Sequence, residues 1–128
     1  MGDAVATQVL YEDANYYVAK FTNVSDGTGE SAVAKVDVSA LTPACARVQI
    51  NKIIYSTYGM GVDLYWDATT NVLAWSLGAD DSGVIDFVSE LYPLVNNAGT
   101  GITGDVLFTT IGHGAGDTYS IILECKKM

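Results

Sequence analysis

The one histidine of the chain, His113, lies in the run GHGAGD (112–117), and Ser–His or Cys–His nucleophilic chemistry would have to pass through it. Glycines on both sides predict an exposed turn, whereas catalysis needs rigid, partly desolvated geometry. His113 is therefore expected to be a surface-loop or interface histidine, and no catalytic residue is assigned. Carboxylates are plentiful: Glu12, Asp13, Asp63, Asp67, Asp80, Asp81 and Asp86 are the candidates for glycoside hydrolysis or calcium binding. None has diagnostic spacing. DDSG (80–83) reads as a turn, and the pattern D-x-[DN]-x-[DN]-G is missing from the sequence.

Two cysteines, Cys45 and Cys125, do not form a disulfide framework. In a reducing compartment they read as free, largely buried thiols, with a Cys45–Cys125 disulfide left open. One histidine and two isolated cysteines do not supply the paired ligands of a zinc site. The glycine-rich GTGITG (99–104) has no adjacent cation and leads into an apolar run, so it reads as an interstrand loop and not a phosphate cradle. No metal, cofactor or cofactor-binding residue is expected.

Tyrosine is the more informative residue type, with eight in the chain. It brings large contact area at low entropic cost and is enriched in interface cores. Tyr16, Tyr55 and Tyr65 are candidate interface residues, with packing at the edge of the core as the competing reading. Val5, Val9 and Leu10 join them, because residues 1–12 form an apolar segment not committed to a turn, a candidate arm reaching a neighbour.

These residues must be positioned by strands. Short β-branched and aromatic runs, cut by Gly, Asn, Asp and Ser clusters, recur along the whole chain. They predict strands at 5–11, 15–24, 32–38, 47–56, 60–67, 72–78, 84–88, 104–111 and 117–126. Alternation places Val62, Leu64 and Trp66 on one buried face opposite Asp63, Tyr65 and Asp67. The same argument puts Leu73, Trp75 and Leu77, and then Tyr119, Ile121, Leu123 and Cys125, toward the core, where Phe108 joins them. Residues 60–67 and 72–78 should form a hairpin across ATTN (68–71). The run 84–95 has an alternative helical reading, capped by Ser82 and limited by Pro93. The expected fold class is all-β: a single-domain antiparallel β-sandwich, jelly-roll-like, of about nine strands over 1–128.

Composition narrows the function classes. Hydrophobic residues are 49% and charged residues 16% of the 128 positions, enough apolar material for one core. Six Lys+Arg against 15 Asp+Glu give a net charge of −9, which repels phosphate backbones and argues against a nucleic-acid partner. No run approaches the roughly 20 apolar residues of a membrane span. MGDAVATQV has neither a basic n-region nor a long apolar run, so the expectation is a soluble protein made in the cytoplasm, with no membrane partner.

Four segments, SDGTGESAVAKVDVSAL (25–41), INKIIYSTYGMGVDLYWDATT (50–70), NNAGTGITGDVLFTT (96–110) and GDTYSIILECKK (116–127), resemble small virion proteins of tailed phages, of the head-decoration or cement type. The shared order is an acidic Gly/Ser loop, a Lys-Val-Asp strand, an LYWD strand, a Gly-rich loop into Gly-Asp plus a strand, and a C-terminal strand ending in basic residues. It covers about residues 20–128. The resemblance implies a non-enzymatic β-sandwich subunit that binds assembled major capsid protein on the outer shell and holds adjacent capsomers together. It also implies a symmetric homo-oligomer, a trimer first and a dimer at two-fold positions as the alternative. A sugar-binding or adhesion module of a head fibre or spike is the second class, and its discriminators are Trp66 and Trp75, which a lectin would expose.

Overall fold

A computed structural model describes residues 3–89 and 92–128. Its strands are β1 (Ala4–Glu12), β2 (Tyr16–Val24), β3 (Val33–Val36), β4 (Val48–Tyr58), β5 (Gly61–Trp66), β6 (Val72–Leu77), β7 (Ser82–Asp86), β8 (Val106–Ile111) and β9 (Thr118–Lys127). Each coincides with one of the nine β-branched and aromatic runs. The described residues contain no α-helix; one 3₁₀ turn, Val38–Ala40, is capped by the Asp37 side chain, which accepts from the Ser39 N–H. The helical alternative at 84–95 gives way to β7, which ends at Asp86; its carboxylate then accepts the Val88 and Ser89 N–H groups in a turn. Residues 90 and 91 of that run lie outside the described residues.

The strands make two antiparallel sheets, ordered β1-β2-β9-β4-β7 and β3-β8-β5-β6. Without β1, the orders 2-9-4-7 and 3-8-5-6 are two interlocked Greek keys wound face to face, which is a jelly roll with one added edge strand. The architecture is thus an all-β, jelly-roll-like β-sandwich.

Between the sheets lie Phe21, Ile50, Ile53, Leu64, Trp66, Phe108, Tyr119, Ile121 and Leu123, all buried. Phe108 is central. It meets Phe21 and Tyr119 edge-on at centroid distances of 5.4 and 5.8 Å, so one ring from the four-stranded sheet bridges two from the other. Val62, Leu64 and Trp66 face inward as their alternation requires, and so do Tyr119, Ile121, Leu123 and Cys125.

Four bulges reset the alternation, each adding one residue to an edge or central strand. Leu10 is the extra residue in β1, Lys35 in β3, Asn51 in β4 and Ala74 in β6. The last corrects one expectation. Leu73 does not reach the core: it is 50% exposed, because the extra Ala74 reverses the phase, and Val72, Ala74 and Trp75 pack inward instead. At Gly104, φ is +91° and a Cβ would stand 2.0 Å from the Ala46 carbonyl oxygen, so the turn into β8 admits only glycine.

Leu64→Ala and Ile121→Ala should each cost about 2–5 kcal/mol in chemical denaturation, while Leu73→Ala should stay within about half a kcal/mol. Equal losses at all three would contradict the reversed phase of β6.

Candidate functional site

The five-stranded sheet has one face on the core and one on solvent, and the solvent face is unusually apolar. Register places Ile122 of β9 beside Ile54 of β4, and Ile54 beside Val84 of β7. On β2 the residue opposite Ile122 is Lys20; Leu10 and Val18 lie diagonally to the row, on the Glu124 side, and line a shallow depression with the two isoleucines, Lys52 and Glu124. Ile54 is 38% exposed and Val84 62% exposed. The Asn51 bulge creates this arrangement. Unbroken alternation from Val48 and Ile50 would turn Lys52 and Ile54 inward; the extra residue sends Ile53 to the core and Ile54 to solvent.

At one end of the row is a groove of about 480 Å³ lined by Tyr11, Tyr16, Val18, Asn51, Lys52, Asp86, Val88, Ser89 and Glu124. Tyr11 turns into it because of the Leu10 bulge, and its hydroxyl donates to Asp13 at 2.6 Å. Asn51 accepts from Gln49 Nε2 at 3.0 Å through its side-chain oxygen; its amide nitrogen donates no hydrogen bond among the described residues. Lys52 and Asp86 are 3.9 Å apart and a third exposed, an ion pair of little energetic weight.

Charge is distributed unevenly over the molecule. On the solvent face of this sheet three lysines, Lys20, Lys52 and Lys126, stand against two carboxylates, Asp86 and Glu124. Most of the other described acids lie in loops or at strand ends, Asp63 of β5 excepted, so a chain of net charge −9 keeps one broad face close to neutral among the described residues.

Of the expected interface residues, the structure brings Leu10 and Tyr16 to this face. Val5 and Val9 share β1 but project from the opposite side of the sheet, opposite Asn23 and Ala19. Tyr55 packs against the core, with its hydroxyl donating to Asp81 at 3.0 Å. Tyr65 lies half-buried on the outer side of the other sheet. Of residues 1–12, the candidate arm, residues 4–12 pair with β2 as an edge strand, and residues 1 and 2 lie outside the described residues. Sequence reasoning missed Ile54, Ile122 and Val84. The signal was there in the doublets Ile53-Ile54 and Ile121-Ile122, apolar at consecutive positions of adjacent strands and so apolar on both faces.

The carboxylates considered for chemistry have other tasks. Asp63 accepts from Ser76 Oγ at 2.5 Å, Asp67 from Thr103 Oγ1 at 2.8 Å, and Asp80 from the Gly59 N–H at 2.8 Å. Glu12 binds Lys127 Nζ at 2.9 Å and the Thr42 N–H at 2.7 Å. Among the described residues no group of three or more His, Cys, Asp or Glu side chains is placed to hold a metal ion. His113 Nδ1 is 3.0 Å from Thr110 Oγ1, and its ring lies where a Cβ on Gly29 would be, so it wedges two loops together. Burial pushes the Cys125 thiol up to about 12 and raises that of Cys45 as well; both are free.

The most elaborate polar cluster is structural. Glu30, buried, accepts from Asn23 Nδ2 at 2.8 Å and from the Tyr119 hydroxyl at 2.5 Å, and pairs with Lys35 at 2.5 Å. Lys35 is the bulge residue of β3. Burial, then the Glu30 carboxylate, push the Tyr119 hydroxyl upward, so it stays a donor. Asp3 joins from the N-terminal side, accepting from Asn23 Nδ2 and the Asp26 and Gly29 N–H groups at 3.0–3.1 Å.

No protein-family model matches the chain, and no curated protein matches it. Among solved structures, a cupin-superfamily protein from Desulfitobacterium hafniense is similar at 10% identity and a TM-score of 0.38, covering all of this chain and 81% of that one. A likeness that distant has no bearing on function.

Burial raises the Asp3 carboxyl, but hydrogen bonds from Asn23, Asp26 and Gly29 outweigh it and hold it at about 2, below the ordinary 3.8. Stability from this depressed group is complete above the unfolded value and is lost as pH falls through the folded one. Thermal unfolding should therefore show a decline from about pH 4 toward 2 that Asp3→Asn flattens, with the variant already less stable at pH 7.

Proposed function

We propose that this chain is a non-enzymatic decoration, or cement, subunit of a tailed-phage head. It binds assembled major capsid protein through the solvent face of the five-stranded sheet. The observation that carries the reading is the apolar patch in which Leu10 and Val18 adjoin the row Ile122, Ile54 and Val84, flanked by Tyr11 and Tyr16, near-neutral on an otherwise acidic molecule. Contiguous exposed apolar surface with aromatic anchors is what a protein partner buries. The four-segment likeness to phage decoration proteins supplies the class of partner, and the acidic remainder suits the outer shell surface, where it favours solubility.

The mechanism is mass action. A subunit that binds the assembled shell and not its parts stabilises the shell by an amount that grows with the logarithm of its concentration over Kd. No covalent step is needed. In this reading the subunit acts as a symmetric homo-oligomer spanning adjacent capsomers, so that several weak contacts act together.

The second reading is a sugar-binding module of a head fibre or spike. Trp66 is buried and Trp75 packs edge-on against Phe87 at 5.2 Å, which leaves neither as an open platform. The Tyr11–Tyr16 groove, with the Asn51 amide, is the observation in its favour.

Purified protein should co-sediment saturably with undecorated phage heads, and cryo-electron microscopy should show the β1-β2-β9-β4-β7 face against the shell. Ile54→Lys should weaken this binding by about thirtyfold or more, the scale of a central interface residue, with an unchanged circular dichroism spectrum. Binding to a glycan array, abolished by Tyr16→Ala while heads are ignored, would replace the capsid reading with the sugar-binding one.

A further inference from the structure

Over residues 4–9, ahead of its bulge at Leu10, β1 is an edge strand that lacks the usual protection against pairing. Edge strands are normally short, charged, interrupted by proline or covered. The other three sheet edges fit that description or are irregular: β7 has five residues, preceded by Asp80 and Asp81 and ending in Asp86, β3 has four with Lys35, and β6 has six broken by the Ala74 bulge. β1 has nine residues, and 4–11 (AVATQVLY) contain no charge and no proline.

Its side chains are also uncovered where those of its neighbour are not. Val5, Thr7 and Val9 sit opposite Asn23, Phe21 and Ala19 in register. Those three partners are 0–1% exposed, whereas Val5 and Val9 are 49% and 51% exposed. The opposite sheet covers β2 and stops short of β1.

We propose that β1 pairs antiparallel with β1 of a second copy of this chain, about a two-fold axis through Thr7. The occupant is argued from self-complementarity, which an isologous interface demands. Val5-Ala6-Thr7-Gln8-Val9 reads nearly the same in both directions about Thr7. Pairing there sets Val5 against Val9, Thr7 against Thr7 and Ala6 against Gln8, each valine meeting a valine on the uncovered side.

Charge agrees with this register. The acids nearest the run, Asp3 and Glu12, lie beyond its two ends, so no acid stands within the paired segment. Two bodies of net charge −9 repel at a distance, but their contact line is neutral, so added salt should tighten the dimer. The Leu10 bulge bends the strand beyond Val9 and closes the run.

An axis of this kind stands normal to the sheet and keeps both solvent faces on one side. The dimer would carry two copies of the Leu10–Val84 patch facing the same way. Pairing itself does not depend on the capsid reading; only the use of a double face does.

Sedimentation velocity of the full chain across a concentration series is the test, with Val5→Lys/Val9→Lys as the edge variant, whose positions are half-exposed and tolerate charge. Wild type should be a dimer, tighter at high salt, and the variant at least about tenfold weaker, since lysines then oppose lysines. Thr7→Cys, oxidised with glutathione disulfide, should give a covalent dimer, whereas Ile102→Cys on an exposed loop should not. A monomer or trimer at every concentration, a dimer indifferent to the lysines, or a Thr7→Cys dimer that does not cross-link would overturn the proposal. The two readings separate cleanly: Ile54→Lys should lose heads yet remain dimeric, and the lysine variant should retain weaker head binding as a monomer.

Discussion

A single buried carboxylate, Glu30, holds together the end of the sandwich from which the rest is organised. A charge out of water is tolerated only when paired and hydrogen-bonded, and Glu30 meets that demand with groups from both sheets. Asn23 and Tyr119 come from the five-stranded sheet and Lys35 from the four-stranded one. Its backbone also exchanges hydrogen bonds with Thr110, accepting from the N–H at 3.0 Å and donating to Oγ1 at 2.9 Å. Loop 25–31 is thereby fixed, and so is Asp3, which shares Asn23 with Glu30. The node that locks the two sheets also anchors the start of β1, so the edge strand is presented in one position.

Jelly-roll winding explains why the exposed apolar patch is scattered through the sequence. The patch combines residues near positions 10, 18, 54, 84 and 122, because neighbouring strands in the five-stranded sheet are mostly distant along the chain. Non-local pairing of this kind places residues from five strands on one surface without any local motif to announce it.

Strand existence was fully legible because each run alternates or is β-branched between turn-forming clusters. Face assignment was legible where alternation is unbroken, as in β5 and β9. It failed in β6, where Leu73 points to solvent, since a bulge inserts one extra residue and reverses the phase of the alternation from that point. The same limit hid the candidate surface. In β4 the phase of Ile54 depends on the Asn51 bulge, and only the isoleucine doublets hinted that both faces were apolar. Tyr55 went the other way: on an inward-facing position its ring served the core.

The sulfur atoms have a consequence for handling. Cys125 is sealed in the core with its thiol pushed up to about 12, and Cys45, half-buried, is raised too. Reaction with oxidants or alkylating reagents runs through the thiolate. Burial keeps Cys125 out of reach of reagents in the folded chain, so a cysteine introduced on an exposed loop would share a label with Cys45 alone.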